Sequence, residues 1–450
     1  MFRRSILSEL EKWVIEKPRK PLVIRGARQV GKTYVVNNFA EQFEQYIYLN
    51  LELPEDRRVF EQFTDIHTLI QAIFFLKNKL LSKKEHTLVF IDEIQEMPEA
   101  IHLLRYFYEQ APEIPVIAAG SMLESLFGKN LSFPVGRVVY KVLRPASFPE
   151  VLAAHGEDAA LRELQQVPLS SFAHHKLLRL FHTYALIGGM PEVVQHYALH
   201  RDIGALSPLY DALIASYIDD AEKYASNASQ LHLLRHVIRA SYTEAGKRIK
   251  FHGFGHSNYG SREMGEALRT LQKALLIYLV YPDTGSILPL QPDLRKSPRL
   301  QVLDTGLMNY FSGIQPEILL TDDLSKLYRG TMIEHLIGQE LLAIQYEALS
   351  SLHFWVREKK TSAAEVDYLF PFRSLLIPIE VKSGSEGKLR SLHLYMDMSP
   401  HPYAVRFYAG ELSITHATTP GGKKYHLLNL PYYLVSQLEY YLEWLTAEVQ

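Results

Sequence analysis

Eight consecutive residues, Gly26-Ala27-Arg28-Gln29-Val30-Gly31-Lys32-Thr33, carry the strongest chemical signal in the chain. They follow the pattern G-x-x-x-x-G-K-T, in which the glycines let the backbone curl until successive amides face a phosphate. Lys32 then reaches the β- and γ-phosphates of a nucleotide, and the Thr33 hydroxyl is placed to ligate Mg²⁺. Such a loop works between a strand and a helix, because the helix N-terminus adds its positive dipole end to the amides. Both flanks are present: the apolar run Pro21 to Arg25 precedes the loop, and apolar residues at three-and-four spacing fill Lys32 to Phe43 after it. That context argues against a chance glycine turn.

Further along, the apolar run Leu88-Val89-Phe90-Ile91 ends in Asp92-Glu93. Asp92 would hold the Mg²⁺ and Glu93 would polarise the attacking water, although acids at a strand end also serve as plain turn residues. Ser121 follows the next apolar run and Gly120, where a small hydroxyl would sense the γ-phosphate or orient water. A Gly-Ser turn is the equally open alternative. Arg137, after Gly136, is the candidate for an arginine finger acting in cis or across a subunit interface, with a solvated surface arginine as the competing reading.

A second constellation lies near the other end of the chain. Glu380 and Lys382 are two apart around Val381, so both point to one face of a strand. Asp367 lies in the preceding run Glu365 to Phe370; if Arg373-Ser374 forms a two-residue turn, the hairpin register sets Asp367 opposite Glu380. Two carboxylates meeting there need a metal or a shifted proton to relieve their repulsion. Asp367 and Glu380 are therefore the candidate metal ligands. Glu334, on the helix around Met332 to Leu342, would complete a Glu...Asp...Glu-x-Lys set. This resembles the PD-(D/E)xK nuclease pattern, in which acids hold Mg²⁺ and the lysine helps position or activate water for phosphodiester hydrolysis. Alternation of polar and apolar residues on a half-exposed strand, with Lys382 guarding a sheet edge, would leave the same trace.

The elements that must position these residues follow from periodicity. From Pro21 to Val142, short β-rich runs at Leu22-Val23-Ile24, Tyr46 to Leu49, Leu88 to Ile91, Val116 to Ala119 and Val138 to Val142 alternate with helical patterns at Lys32 to Phe43, Ile66 to Leu81 and Pro98 to Gln110. The runs are nearly continuous, as in strands covered on both faces, so an α/β parallel sheet is expected over residues 1–146. Residues 147–224 read as helices broken by Gly188-Gly189-Met190-Pro191, a helical lid. Residues 225–312 read as helices followed by a Pro/Gly-rich hairpin, the order of a winged helix, and residues 313–450 as a long helix with a strand pair around Asp367 and Glu380. Between Ala225 and Ser312 eleven Lys/Arg face six acids, so a DNA-contacting surface built on Ser257 to Arg262 with Arg295-Lys296 as wing is one reading. A protein-binding or lid module is the other.

Taken together, the motifs resemble the bacterial and archaeal AAA-type P-loop ATPases, related to the signal-transduction ATPases with numerous domains, that carry a C-terminal domain of uncharacterised function with a restriction-endonuclease-like core. The resemblance covers essentially the whole chain, adding Arg144 to Glu150, Gly188 to Pro191, Asp304-Thr305-Gly306-Leu307 and Ile379 to Lys382 to the loop and strand-end acids. It implies a P-loop NTPase parallel sheet with helical lid, a winged-helix domain and a C-terminal nuclease-like α/β domain. It also implies that Gly188 to Pro191 sits in the lid and reports the nucleotide's state, where a simple helix break is the alternative.

Composition narrows the classes further. With 47% hydrophobic and 22% charged residues the chain is of globular type and excludes a disordered or fibrous one. The longest apolar stretch, Ala274 to Tyr281, is far short of the roughly 18 residues that span a bilayer. After Met1-Phe2-Arg3-Arg4, charges at Glu9, Glu11 and Lys12 interrupt any secretory signal. The absence of cysteine excludes disulfides and thiol nucleophiles and fits a cytoplasmic protein. His232 and His236 lack the H-E-x-x-H arrangement of a zinc site, and Gly255 to Gly260 is one residue too long for a nucleophile elbow. The expected function is an ATP- and Mg²⁺-using ATPase, with a homo-oligomer as one arrangement, that couples turnover to DNA binding or cleavage; a nucleotide-state switch whose C-terminal domain binds without cleaving is the alternative.

Overall fold

The computed structural model describes residues 2–63, 65–121, 136–313, 330–359, 362–382 and 389–448. The chain divides into two compact units, the first made of residues 1–144, 273–276 and 345–349, the second of the remainder. The segments expected as lid, winged helix and C-terminal domain contribute to the second unit.

In the first unit, strands β1 (Leu22–Arg25), β2 (Gln45–Asn50), β3 (Thr87–Asp92), β4 (Val116–Gly120) and β5 (Val139–Val142) form one sheet in the order β2-β3-β4-β1-β5. Every pairing is parallel. All residues of β3 and β4 are buried, which is why their sequences are continuous apolar runs. One core cluster gathers Val89 and Ile91 with Leu69 and Ile73 of the helix Ile66–Leu76 and Leu104 and Phe107 of the helix Pro98–Gln110. The register pairs Arg25 with Gly120 and Asn50 with Asp92, so the loop after β1, the acids of β3 and Ser121 after β4 emerge at one end of the sheet. The helix expected to reach Leu81 stops at Leu76, because Asn78 turns left-handed at φ 51° and a 3-10 turn, Leu81–His86, follows.

In the second unit, β6 (Ile277–Val280) pairs antiparallel with β8 (Arg299–Val302), and β7 (Pro282–Asp283), β9 (Phe354–Lys359) and β10 (Ser362–Val366) form a small sheet ordered β10-β9-β7. A larger mixed sheet orders β11 (Tyr368–Phe372), β12 (Leu375–Val381), β13 (Tyr403–Tyr408), β14 (Ser413–Thr418) and β15 (Lys424–Pro431) as β11-β12-β13-β15-β14. Phe372 pairs with Leu375 across Arg373-Ser374, so the expected two-residue turn is present. The run Glu365 to Phe370, expected as one strand, is instead split: β10 ends at Val366 in the small sheet, β11 starts at Tyr368 in the large one, and Asp367 is the corner between them. Among the helices, His174–Ile187 ends where Gly188 adopts φ 72°, and Pro191 opens Pro191–His200. The helix expected around Met332 to Leu342 spans Gly330–Ala343. No helix among the described residues is long and apolar enough to cross a membrane.

Candidate functional site

The phosphate-binding loop is held from behind. A Cβ on Gly26 would stand 2.4 Å from the Leu143 carbonyl oxygen, so only glycine fits where the loop leaves β1. Gln29 and Gly31 take positive φ values of 64° and 94°, the curl that turns the amides inward, and the helix Lys32–Ala40 starts at once. Ala27 and Val30 are buried, while Arg28 stays partly exposed with a guanidinium nitrogen 4.0 Å from a Glu52 carboxylate oxygen. Lys32 Nζ donates to the carbonyls of Gly26 at 3.1 Å and Ala27 at 3.0 Å. Burial pushes its ionisation down, while Glu93 and Asp92 pull it back up.

The Thr33 hydroxyl donates to Asp92 Oδ2 at 2.7 Å, joining the loop to the end of β3 across the sheet. Burial raises the Asp92 carboxyl's pKa, and the bond from Thr33 works against it. Glu93 adopts φ 51° as it leaves the strand, and its carboxylate accepts from the Gln95 side chain. Tyr48, on β2, donates to the same Asp92 oxygen at 3.3 Å. Tyr48 and Gln95 have no place in the motif; the period-2 face of β2 beside the β3 acids is the one sequence signal that marks Tyr48. Ser121 lies half-buried just past β4, at the same end of the sheet. Arg137 does not join this group. It precedes β5, whose Val139 pairs with Leu22 at the start of β1, so it lies at the opposite end of the sheet, bonded to Glu109 at 3.0 Å.

At the C-terminal cluster the register continues from Tyr368 opposite Ile379, and it brings Asp367 beside Glu380 and Val381. Asp367 Oδ2 accepts the Val381 amide at 2.7 Å. Lys382 Nζ donates to Glu380 Oε1, while Glu380 Oε2 is buried without a hydrogen-bond partner. Burial and the Asp367 charge push the Glu380 carboxyl up to about 8, and the same two causes push Glu334 up to about 8. Burial opposes the charge on Lys382, yet Glu380 and the other acids raise its pKa on balance.

Arg299, on β8, is a member of this cluster that spacing gave no reason to choose. Its guanidinium donates to the Asp367 carbonyl at 2.8 Å and to Glu365, and it lies 4.6 Å from the Phe354 ring centre. Among the described residues no group of three His, Cys, Asp or Glu side chains is arranged to hold a metal, so Glu334 is coupled to the pair through charge without completing a three-ligand set.

The basic excess over residues 225–312 is partly met from outside that segment. Arg248 and Lys296 pair with Glu358 and Arg299 with Glu365, while Arg262 pairs with Glu266 and Arg295 with Asp293. Gly188 to Pro191 docks on the segment Asp304 to Gly306. The Gly189 amide donates to Asp304 Oδ2 at 2.6 Å, and a Cβ on Gly189 would stand 2.2 Å from the Ala146 carbonyl oxygen.

Residues 18–152 match the AAA domain family. Residues 178–318 match a domain of unknown function (DUF8612), and residues 329–431 match another (DUF4143). No curated protein matches the chain. Among solved structures, the Walker-type ATPase PABY2304 of Pyrococcus abyssi is similar over 69% of this chain and 96% of its own, at 15% identity and a TM-score of 0.43. C. elegans PCH-2 is similar over 45% of this chain and 64% of its own, at 11% identity and a TM-score of 0.27. Residues 18–152 thus combine a match to the AAA domain family with a phosphate loop and the Thr33–Asp92 bond at its mouth, and are similar to an AAA-type P-loop ATPase domain.

Proposed function

We propose that the chain hydrolyses ATP with Mg²⁺ and uses the nucleotide's state to control a C-terminal site that binds, and can cleave, DNA. The observation that carries the ATPase half is the 2.7 Å bond between Thr33 Oγ1 and Asp92 Oδ2. Those two oxygens, one from the end of the loop and one from the end of β3, are a hard-oxygen donor pair of the kind Mg²⁺ takes. Mg²⁺ held there would neutralise charge on the β- and γ-phosphates. Lys32, bonded to two loop carbonyls, exchanges them for phosphate oxygens when a nucleotide enters. Glu93 stands one residue past the strand end, where its carboxylate can orient and polarise a water. Ser121, just past β4, would sense the γ-phosphate or orient water. Arg137, at the far end of the sheet, would serve a neighbouring copy rather than its own nucleotide, which requires a homo-oligomer.

In the C-terminal half, the buried, unpartnered Glu380 Oε2 beside Asp367 supports a two-carboxylate cation site, at which Lys382, bonded to Glu380, would act on a phosphodiester or on the attacking water. The second reading is a nucleotide-state switch in which this domain binds without cleaving. Arg299 and Lys382 favour it, since they already stand against the acids in a metal's place, Arg299 paired with Glu365 and 4.0 Å from an Asp367 carboxylate oxygen and Lys382 bonded to Glu380.

One experiment separates the readings. ATP turnover is measured with Mg²⁺, with and without single-stranded, duplex and branched DNA, and the same samples are run on a gel. Lys32→Ala should abolish turnover; ATP binding at the parent's level in that variant would overturn the phosphate-loop assignment. DNA-stimulated turnover with nicking that disappears in Asp367→Ala supports the nuclease. Turnover indifferent to DNA, with the DNA intact, supports the switch.

A further inference from the structure

Arg4 lies well before the phosphate loop in sequence, in no motif, yet it is only 4% exposed. One guanidinium nitrogen, Nη1, donates to the Val30 carbonyl at 3.0 Å, and the other, Nη2, to the Arg144 carbonyl at 2.7 Å. Val30 is fully buried, so water cannot serve its carbonyl. Nor does the following helix use it, since the Val35 amide that opens the ladder bonds to Gly31.

The geometry of the peptide unit gives this contact a consequence. In a planar trans peptide the carbonyl and the following N–H point in opposite directions. Holding the Val30 carbonyl toward Arg4 therefore aims the Gly31 N–H away from Arg4. Gly31, at φ 94°, has the freedom to turn either way, so an external anchor decides the direction. The second bond ties that anchor to Arg144, the residue after Leu143, whose carbonyl closes over Gly26 at the loop's other end. Both ends of the loop are thus braced on the segment 143–144. A guanidinium can do this because its two Nη groups reach two carbonyls at once in a fixed plane.

We propose that Arg4 is a positioning residue for nucleotide binding: it locks the Val30–Gly31 peptide so that the Gly31 amide faces the phosphates. The proposal rests on the reading of Gly26 to Thr33 as the nucleotide's phosphate site. Amide bonds to phosphate are made in the ground state and the transition state alike, so losing this lock costs affinity more than turnover at saturation.

The test compares the parent with Arg4→Met and Arg4→Lys, each shown to be folded by its melting curve, using titrations with MgATP and MgADP and steady-state ATP hydrolysis. Arg4→Met should weaken both nucleotides by roughly tenfold and raise KM similarly, with kcat much less affected. Arg4→Lys keeps the charge but reaches one carbonyl at a time, so its affinity should fall between the two; it also carries the test if Arg4→Met does not fold. A lower melting temperature with the parent's affinity and KM in a folded variant would overturn the proposal and leave Arg4 a stabilising residue only. A parent that binds neither nucleotide would overturn the phosphate-site reading and this proposal with it.

Discussion

Glu93 is the side chain proposed to polarise the attacking water. It leaves β3 at φ 51°, and its carboxylate is steadied by Gln95 while the adjacent Asp92 is steadied by Thr33. The two acids thus have different partners, in keeping with the different roles proposed for them. Glu93→Gln should bind MgATP as the parent does and hydrolyse it about a hundredfold more slowly or worse, a gap read by titration against phosphate release. A parallel loss of binding would place Glu93 with the cation instead. The motif residues were legible because a phosphate loop acts through contiguous backbone, so its chemistry is written in adjacent positions. Arg4, Tyr48 and Arg299 were not, since each acts on residues far away in sequence: Arg4 on Arg144, Tyr48 on Asp92, Arg299 on Asp367. Asp367 and Glu380 lie between these cases, because a two-residue turn fixes a register that can be counted.

Among elements, the parallel sheet was legible from its continuous apolar runs, and the corner at Asp367 was not. Val366 and Tyr368 are both fully or nearly fully buried, so the run shows no break in hydrophobicity where the chain passes from one sheet to another. The docking of Gly188-Gly189 against Asp304 to Gly306 was also hidden, although both segments stood out as motifs, because close backbone approach leaves only small residues as its trace. There the short helix Thr305–Phe311, capped by Asp304, sets Gly306 so near Ile187 that a Cβ would stand 2.2 Å from its carbonyl oxygen. Backbone cannot yield as a side-chain end can, so Gly306→Ala should destabilise the fold by about 1–3 kcal/mol, measured by urea unfolding. Gly285, where an added Cβ meets nothing within 4 Å, is the control, and Gly285→Ala should stay within about 0.5 kcal/mol of the parent. Equal effects at the two positions would show that the approach of Ile187 is not what constrains Gly306.

At the scale of the whole molecule, buried titratable groups in the second unit contribute to how stability responds to pH. Glu340 is 1% exposed, and its Oε1 accepts from the Tyr184 hydroxyl at 2.6 Å and the Phe148 amide at 3.0 Å. Burial pushes its carboxyl up to about 8, against the pull of those two bonds. Burial likewise lifts Asp304 to about 6 and presses His335 down to about 3. The acids and the histidine act in opposite directions. Between about 4.5 and 8 the unfolded chain has released the Glu340 proton and the folded chain has kept it, so the folded state binds more protons and stability falls as pH rises. For His335 the unfolded state binds the extra proton below about 6.5, so its contribution falls as pH drops. Glu340→Gln keeps an acceptor oxygen for Tyr184 and Phe148 but never ionises. Its melting temperature relative to the parent should therefore hold steady below about pH 4.5, climb between about 4.5 and about 8, and level off above. Comparing the two chains cancels Asp304 and His335, which titrate in both. A difference that stays flat through that window would mean that Glu340 ionises in place, and that the network of Glu340, Tyr184 and Phe148 holds a carboxylate rather than a buried acid.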